Sequence, residues 1–358
     1  LKKILFITPF EIGLNPSQRF RCEHFYDELV KEGYQIKIAP FFKKKAWLTI
    51  YSSGHFFKKA HYTALGFINR VLSLFSIGKY DFVFIAREAT PLGPPFFEWI
   101  ITKLFNKHVI YDLDDGIWQI NENTSNRITR FLKFPNKVNN IIKWANMVAA
   151  GSPNILSYCQ SLNANCKLIP TVVDLKKHHN QQIQIIEKLK YVVGWTGSHS
   201  TLTYLAEIQP QLLEAYSKNP FKLVVICDRA PQFSFPELEF IQWNAENEIT
   251  DLLNFDIGIM PLPNNNWTKY KCGFKLIQYM ALGIPAIASA VAVNKEIGDA
   301  DKNAILLLEE QSWASALNEI LTNYELRRRI GPAGRKKVKE IYSKEAVTPL
   351  FLALFTSK

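Results

Sequence analysis

Residues 3–40 read KILFITPFEIGLNPSQRFRCEHFYDELVKEGYQIKIAP, and this stretch decides the fold class. Its opening, KILFITP, is a short continuous apolar run ending in proline, the pattern of a parallel strand buried on both faces. Residues 17–32 then place Phe25, Leu29 and Val30 toward one side of an amphipathic helix, which Gly33 stops. QIKIAP at 35–40 is a second strand. Strand, helix and strand in so short a span open a doubly wound domain.

The same alternation runs outward along the chain. Strands are expected at 81–86 (DFVFIA), 107–112 (KHVIYD), 147–151 (MVAAG) and 167–170 (KLIP). A second series is expected at 191–195, 222–227, 239–243, 255–260, 285–289 and 304–308, with helical patterns between most of them. Two doubly wound parallel-sheet domains follow, joined in the polar stretch 171–190. A final helix is expected over 338–357, interrupted near Pro349. The start, LKKILFITPFEIG, lacks the longer apolar core and small-residue cleavage site of a signal peptide and reads as a buried strand.

Composition narrows the function classes. The 358 residues are 47% hydrophobic and 21% charged, which excludes a disordered chain, a collagen or a coiled coil. The net charge of +11 points to an anionic partner. It is unevenly placed: residues 1–170 hold 22 Lys+Arg against 12 Asp+Glu, whereas the remainder is near balance. Five cysteines without a CxxC pair suggest neither a disulfide framework nor a zinc site, and fit a reducing compartment. The histidines show no metal-ligand spacing; the adjacent His178 and His179 read as surface residues.

Residues 42–77 break the alternation. Lys43, Lys44, Lys45, Lys58 and Lys59 are interleaved there with Phe, Trp and Tyr. Rings at an acyl boundary beside ammonium groups on lipid phosphate suit an anionic membrane surface. An ordinary surface helix with a solvated charged face is the other reading.

In open parallel sheets ligands bind beyond the carboxyl ends of the strands, so four loops are candidate sites. In GWTGSHS (194–200), Gly197 allows close approach of a ligand, and Ser198 and His199 open a helix whose free N–H groups favour an anion. Helix capping by Ser198 or Ser200 is the alternative. In KYKCGFKLIQYMALGIP (269–285), Gly273 and Phe274 start a helix carrying Lys275 in its first turn and Gln278 on the same face. A cation is unfavourable at a helix start unless an anion joins it, which fits a diphosphate; an exposed lysine on a capped helix is the alternative. In YDLDDGIW (111–118), Asp112, Asp114 and Asp115 crowd one strand end, so a cation, donor hydroxyls or arginines must hold them, unless the turn is simply solvated. The fourth loop, PFEIGLNPSQRFR (9–21), carries Gly13, Arg19 and Arg21; the arginines face phosphate or pair with Glu23 or Asp27. It is not GxGxxG, which disfavours a dinucleotide cofactor, and no GxSxG, HExxH or P-loop occurs.

KCGFKLIQYMALGIPAIAS (271–289) resembles the motif of the family 4, or group 1, retaining glycosyltransferases of the GT-B fold. The resemblance extends along the chain through KLIPTVVD (167–174), GWTGSHSTLTYL (194–205), FDIGIMPLPNNNW (255–267) and the terminal helices within 312–343. YDLDDGIW resembles a strand end of one bacterial subgroup. The resemblance implies an α/β, GT-B architecture of two Rossmann-like domains facing a central cleft. Residues 1–172 would bind the acceptor and 173–340 the nucleotide-sugar donor, with a C-terminal helix at 341–358 crossing back to the first domain. It implies transfer, with retention, from a nucleotide diphosphate sugar (UDP or GDP) to a hydroxyl of a lipid-linked or polysaccharide acceptor in cell-envelope glycan synthesis. No cofactor, no metal and no nucleic acid are implied. The place would be cytoplasmic, peripheral at the inner face of the plasma membrane.

By this resemblance Lys275, Asp114 and Asp115 are the catalytic candidates. Gly197, Ser198, His199, Arg229, Tyr270, Lys271, Gly273, Phe274 and Gln278 are the donor-binding ones, and Gly13, Arg19 and Arg21 form an acceptor or phosphate loop. The family's two motif glutamates fall on Tyr270 and Gln278, so both carboxylates are missing. A glutamine keeps hydrogen bonding without charge. The departure opens a second reading, a catalytically inactive membrane-docked binding subunit of a glycan assembly complex.

Overall fold

The computed structural model describes residues 1–50, 52, 54–119, 134–300 and 302–356. The chain divides into two compact units, residues 1–171 with 347–358, and residues 172–346.

The first unit holds β1 (Lys3–Phe10), β2 (Gln35–Phe42), β3 (Phe82–Ala86), β4 (His108–Leu113), β5 (Met147–Ala150) and β6 (Cys166–Leu168). They form one parallel sheet in the order β2-β1-β3-β4-β5-β6. Ile4–Ile7 lie opposite Phe82–Ile85, and these residues are buried on both faces, which is why the strands read as unbroken apolar runs. The chain leaves β1 to one side and later returns to β3 on the other, so the topological switch point lies between those strands.

The expected helix over 17–32 is split into α1 (Pro16–Arg21), a 3-10 turn and α2 (Tyr26–Lys31). The break falls at Cys22, where φ is −132° and the backbone leaves helical geometry, directly after the buried Arg21. Residues 42–77 form α3 (Lys44–Ile50) and α4 (Phe56–Ser76). Two buried positions seat α4. A Cβ on Gly66 would come within 2.4 Å of the Phe41 ring, so only glycine permits this approach. The Arg70 guanidinium donates to the carbonyls of Thr8, Ala39 and Ala89, tying α4 to β1, β2 and the turn after β3. Burial lowers its pKa to about 9. The short α5 (Phe96–Trp99) reaches α4 through Phe97, whose ring lies 6.3 Å from Phe67.

In the second unit β7 (Val192–Gly197), β8 (Lys222–Cys227), β9 (Leu238–Gln242), β10 (Ile257–Met260), β11 (Ala286–Ser289) and β12 (Ile305–Leu307) are also parallel. Their order, β12-β11-β10-β7-β8-β9, is the doubly wound dinucleotide-fold arrangement with its switch point between β7 and β10. Alternate residues supply two cores. Val193, Trp195, Leu223 and Val225 face one cluster, while Val224, Ile226, Ala286 and Ala288 face the other. The helices that matter for the site are α6 (His199–Glu207) after β7 and α7 (Phe274–Ala281) before β11. Further on come α8 (Trp313–Thr322), α9 (Tyr324–Lys337) and α10 (Lys344–Leu352).

The chain re-enters the first unit at Val347. There Phe351 stacks on Phe25 at 4.2 Å, and Phe355 lies 6.3 Å from Phe6 and Phe84. The expected interruption at Pro349 is absent: Pro349 lies inside α10, and the break comes earlier, at Ser343 (φ −76°, ψ 153°). His179 also departs from expectation. It is buried, whereas His178 is exposed, although both N–H groups bond the Asp174 carbonyl in a turn capped by the Asp174 carboxylate.

Candidate functional site

The switch point of the second unit is built by two glycines and a tyrosine. Gly194 and Gly258 face each other across β7 and β10. A Cβ on Gly194 would strike the Phe255 ring at 2.1 Å, and one on Gly258 the Tyr279 ring at 2.6 Å. Beyond this pair the two strands no longer bond each other. The Tyr279 hydroxyl fills the gap, accepting from the Thr196 N–H at 3.1 Å and donating to the Ile259 carbonyl at 3.3 Å. The strand ends are thus held apart with their polar groups satisfied, and α7 is anchored to both.

Lys275 lies over this opening. Its Nζ donates to Thr201 Oγ1 at 3.1 Å on α6 and sits 4.1 Å from the centre of the buried Trp195 ring. A Cβ at position 197 would come within 2.5 Å of Nζ, so Gly197 is what lets the ammonium reach the end of β7. Burial, and then the ammonium of Lys271, lower the Lys275 pKa to about 7, while Cys227 opposes them. Two cations held close enough to repel, next to the first-turn amides of α7, form an arrangement that an anion relieves. Lys275 and Lys271 each also lie over a ring, Trp195 and Trp267 respectively.

Gly273 starts α7 in the left-handed region, at φ +65°, with Ile297 Cδ1 2.3 Å from where a Cβ would stand. Glycine is therefore required twice over. One turn on, Gln278 is buried, and its Nε2 has no hydrogen-bond partner among the described residues. The buried Trp195 Nε1 and Asn294 Oδ1 are in the same condition. Such groups are costly unless a ligand or water meets them. Tyr270 and Cys272 are buried beside this turn, and Phe274 is half-buried.

The start of α6 differs from expectation. Ser198 Oγ bonds Ser200 Oγ at 2.9 Å and caps nothing. The cap is Asp228, just past β8: its Oδ1 accepts from the His199 N–H and its Oδ2 meets His199 Nδ1, each at 2.6 Å. Although partial burial opposes it, the His199 contacts hold the Asp228 carboxyl below the usual range. His199 is therefore committed to a carboxylate, and Arg229 is exposed beside it. Asp228 was missed from the sequence because no helical or strand spacing links it to position 199.

In the first unit the loop after β1 is held by two side chains. The Gln18 amide bonds both the N–H and the carbonyl of Phe10, and also Glu23, while Glu23 accepts from the Gly13 N–H at 2.9 Å. Burial raises the Glu23 pKa against these bonds. Arg19 is half-buried with its guanidinium 4.4 Å from the Phe20 ring.

Arg21 is a correction to the phosphate expectation. It is 1% exposed, pairs with Asp112 at 2.5 Å and bonds the Ile169 carbonyl. Its charge is taken up by a buried carboxylate rather than held out for a ligand phosphate. Burial still raises the Asp112 pKa, with Arg21 the largest opposing influence. Asp114 accepts from Ser17 Oγ and lies 3.6 Å from Arg87 Nε. Asp115 accepts from the next N–H, Gly116, at 3.0 Å. The crowded aspartates are thus relieved by two arginines and a hydroxyl. Arg87 itself adopts φ +65°, uncommon without glycine, and its N–H bonds the Asp112 carbonyl. Pro9, Ser17, Gln18, Arg21, Arg87 and Asp112 help line a cavity of ≈ 10 Å³ at this switch point, room for about one water. Among the described residues no group of three or more His, Cys, Asp or Glu could hold a metal.

Comparison with known proteins bears on the second unit first. Residues 237–337 match the family model described as "Glycosyl transferases group 1". The matched stretch lies within the second unit and is what this chain shares with group 1 glycosyl transferases. Tyr270, Lys271, Gly273, Phe274, Lys275 and Gln278 lie inside the matched stretch, whereas Gly197, Ser198, His199 and Arg229 precede it. Solved structures resemble the whole chain. Sucrose-phosphate synthase from Thermosynechococcus elongatus is 14% identical with a TM-score of 0.69, over 99% of this chain and 98% of that one. HepE from Anabaena, in complex with UDP and glucose, is 13% identical with a TM-score of 0.63, over 99% of each chain. The catalytic domain of starch synthase IV from Arabidopsis thaliana, bound to ADP and acarbose, is 12% identical with a TM-score of 0.66, over 99% and 98%. At such identities the likeness speaks for the fold, and the fold is GT-B. Among curated proteins the chain's sequence finds no match.

Proposed function

We propose that the chain is a family 4 retaining glycosyltransferase that moves a sugar from a nucleotide diphosphate sugar to a hydroxyl of a lipid-linked or polysaccharide acceptor. The second unit takes the donor and the first the acceptor. The work is cell-envelope glycan synthesis at the cytoplasmic face of an anionic membrane, which residues 42–77 contact. The observation that carries the reading is the Lys275 ammonium, lodged over Gly197 and Trp195 beside Lys271 and the first turn of α7. In such a transfer negative charge grows on the departing diphosphate, and preset donors at that position lower the barrier. Lys275, Lys271 and the amides following Gly273 are those donors. Gln278 offers its buried amide to a sugar or ribose hydroxyl. The UDP in the Anabaena HepE complex and the ADP on starch synthase IV support a nucleotide-linked donor. Asp114 and Asp115 are proposed on the acceptor side, where Ser17 and Arg87 orient Asp114.

One observation favours a second reading, a binding subunit without catalysis: Tyr270 and Gln278 stand where the family carries glutamates. Calorimetric titration with UDP and GDP, followed by donor hydrolysis assays, separates the two. Binding with turnover supports the enzyme, and no nucleotide binding or turnover by wild type sinks it and favours the subunit.

A further inference from the structure

Helix α4 is apolar on two sides. Its inward face packs Tyr62 and Phe67 against Phe10, Phe41 and Phe42 and carries Gly66 and the buried Arg70. The outward face carries Phe57, Leu65, Ile68, Leu72 and Phe75, which recur at helical spacing and are all exposed, Phe57 by 85% and Phe75 by 84%. From Phe57 to Phe75 the stripe runs for roughly 27 Å at the ordinary helical rise. A contiguous apolar strip of this kind on a soluble surface marks an interaction site. Phe96 and Trp99 add exposed rings on α5, which meets α4 through Phe97.

The charge around the stripe selects the occupant. Residues 42–77 contain five lysines and one arginine and no Asp or Glu. Lys43, Lys44, Lys45 and Lys58 are exposed, while Lys59 is folded onto the Ser52 carbonyl at 2.6 Å. A second copy of the chain seated on this face would bring two such lysine groups together, with Glu11 at the Lys44 N–H offsetting only part of their charge. An anionic bilayer supplies phosphates for the lysines and acyl chains for the rings. No helix among the described residues is long and apolar enough to cross a membrane, so the geometry is one of lying in the surface.

We propose that α4 lies along the interface of an anionic bilayer, with Phe57, Leu65, Ile68, Leu72 and Phe75 inserted among the acyl chains. Lys43, Lys44, Lys45 and Lys58 then contact headgroup phosphates, and Arg70 with Gly66 fixes the helix to its sheet. The inference deepens the membrane contact in the proposed function and rests on that part of it alone.

The test is co-sedimentation with phosphatidylcholine vesicles with and without phosphatidylglycerol. Wild type should pellet with the phosphatidylglycerol vesicles, and less as salt rises. The double variant Ile68→Glu, Leu72→Glu should lose binding by more than ~10-fold. Lys43→Gln, Lys44→Gln and Lys45→Gln should each weaken it about fivefold. Both residues of the double variant are exposed, so its circular dichroism and melting should match wild type. Equal pelleting by the double variant overturns the proposal. So does a wild type that ignores vesicles yet dimerises through this face, as sedimentation equilibrium would reveal. UDP or GDP titration keeps the two readings apart: a wild type that binds nucleotide but not phosphatidylglycerol vesicles sinks only the α4 assignment, and one that binds the vesicles but not nucleotide sinks only the transferase.

Discussion

The most informative perturbation is Lys275→Met, which keeps the stem over Trp195 and removes the charge. In the unliganded protein burial and Lys271 bring Lys275 to about pKa 7, so near neutrality the amine is part protonated and part neutral. A diphosphate arriving beside it favours the ammonium and raises that pKa again. Binding must then take up a proton wherever the pH lies between the free and bound values. At pH 8 about nine-tenths of the free sites are neutral, so uptake approaches ~0.9 proton per ligand. Affinity should fall up to about tenfold per pH unit across the same window. Calorimetry with UDP or GDP in buffers of differing ionisation enthalpy measures the uptake directly. Wild type should show it and Lys275→Met should not, with turnover reduced roughly 10²–10³-fold. Uptake that persists in the variant, or none in wild type, refutes the assignment of Lys275 to the diphosphate. The folded protein alone gives a second check. Because the folded pKa is below the ordinary lysine value of 10.5, the unfolded chain binds more protons between the two. The Lys275 contribution to stability should therefore rise from pH 7 toward pH 10.5, and disappear in Lys275→Met.

Three other outcomes follow from the geometry. Gly197→Ala puts a methyl within 2.5 Å of Nζ and 2.7 Å of the Trp195 ring, so the ammonium must move and nucleotide affinity should fall about tenfold by calorimetry. Arg21→Met leaves Asp112 buried without its partner and should cost about 3–5 kcal/mol in urea unfolding while leaving nucleotide binding unchanged. Tyr279→Phe strands the Thr196 N–H and the Ile259 carbonyl at the switch point, a loss of about 1–3 kcal/mol by the same measurement.

Strands were legible because burial on both faces forces continuous apolar runs. DFVFIA, KHVIYD and KLVVIC appear as β3, β4 and β8 within a residue or so of their expected ends. Helix ends were less legible. The stop at Cys22 comes directly after Arg21, whose partner Asp112 lies ninety-one residues away and has no local signal. Gly273, Lys275 and Gln278 could be singled out because they share one helix start, where local spacing carries the chemistry. The Asp228 cap on α6 could not, since its partner lies on a different strand connection. Nor could the fate of the basic residues: Arg21 and Arg70 are buried on a carboxylate and carbonyls, whereas Lys275 sits where an anion can come.

The amino-acid sequence by itself determined that this chain makes two parallel sheets with a glycine-opened helix start in the second, because strand burial and helix capping are local patterns. Only the tertiary structure decided which charges are already paired, and that α4 leaves a second apolar stripe facing outward. Those outcomes depend on which strand ends lie side by side, and residues far apart in the chain settle that through packing and shared hydrogen bonds.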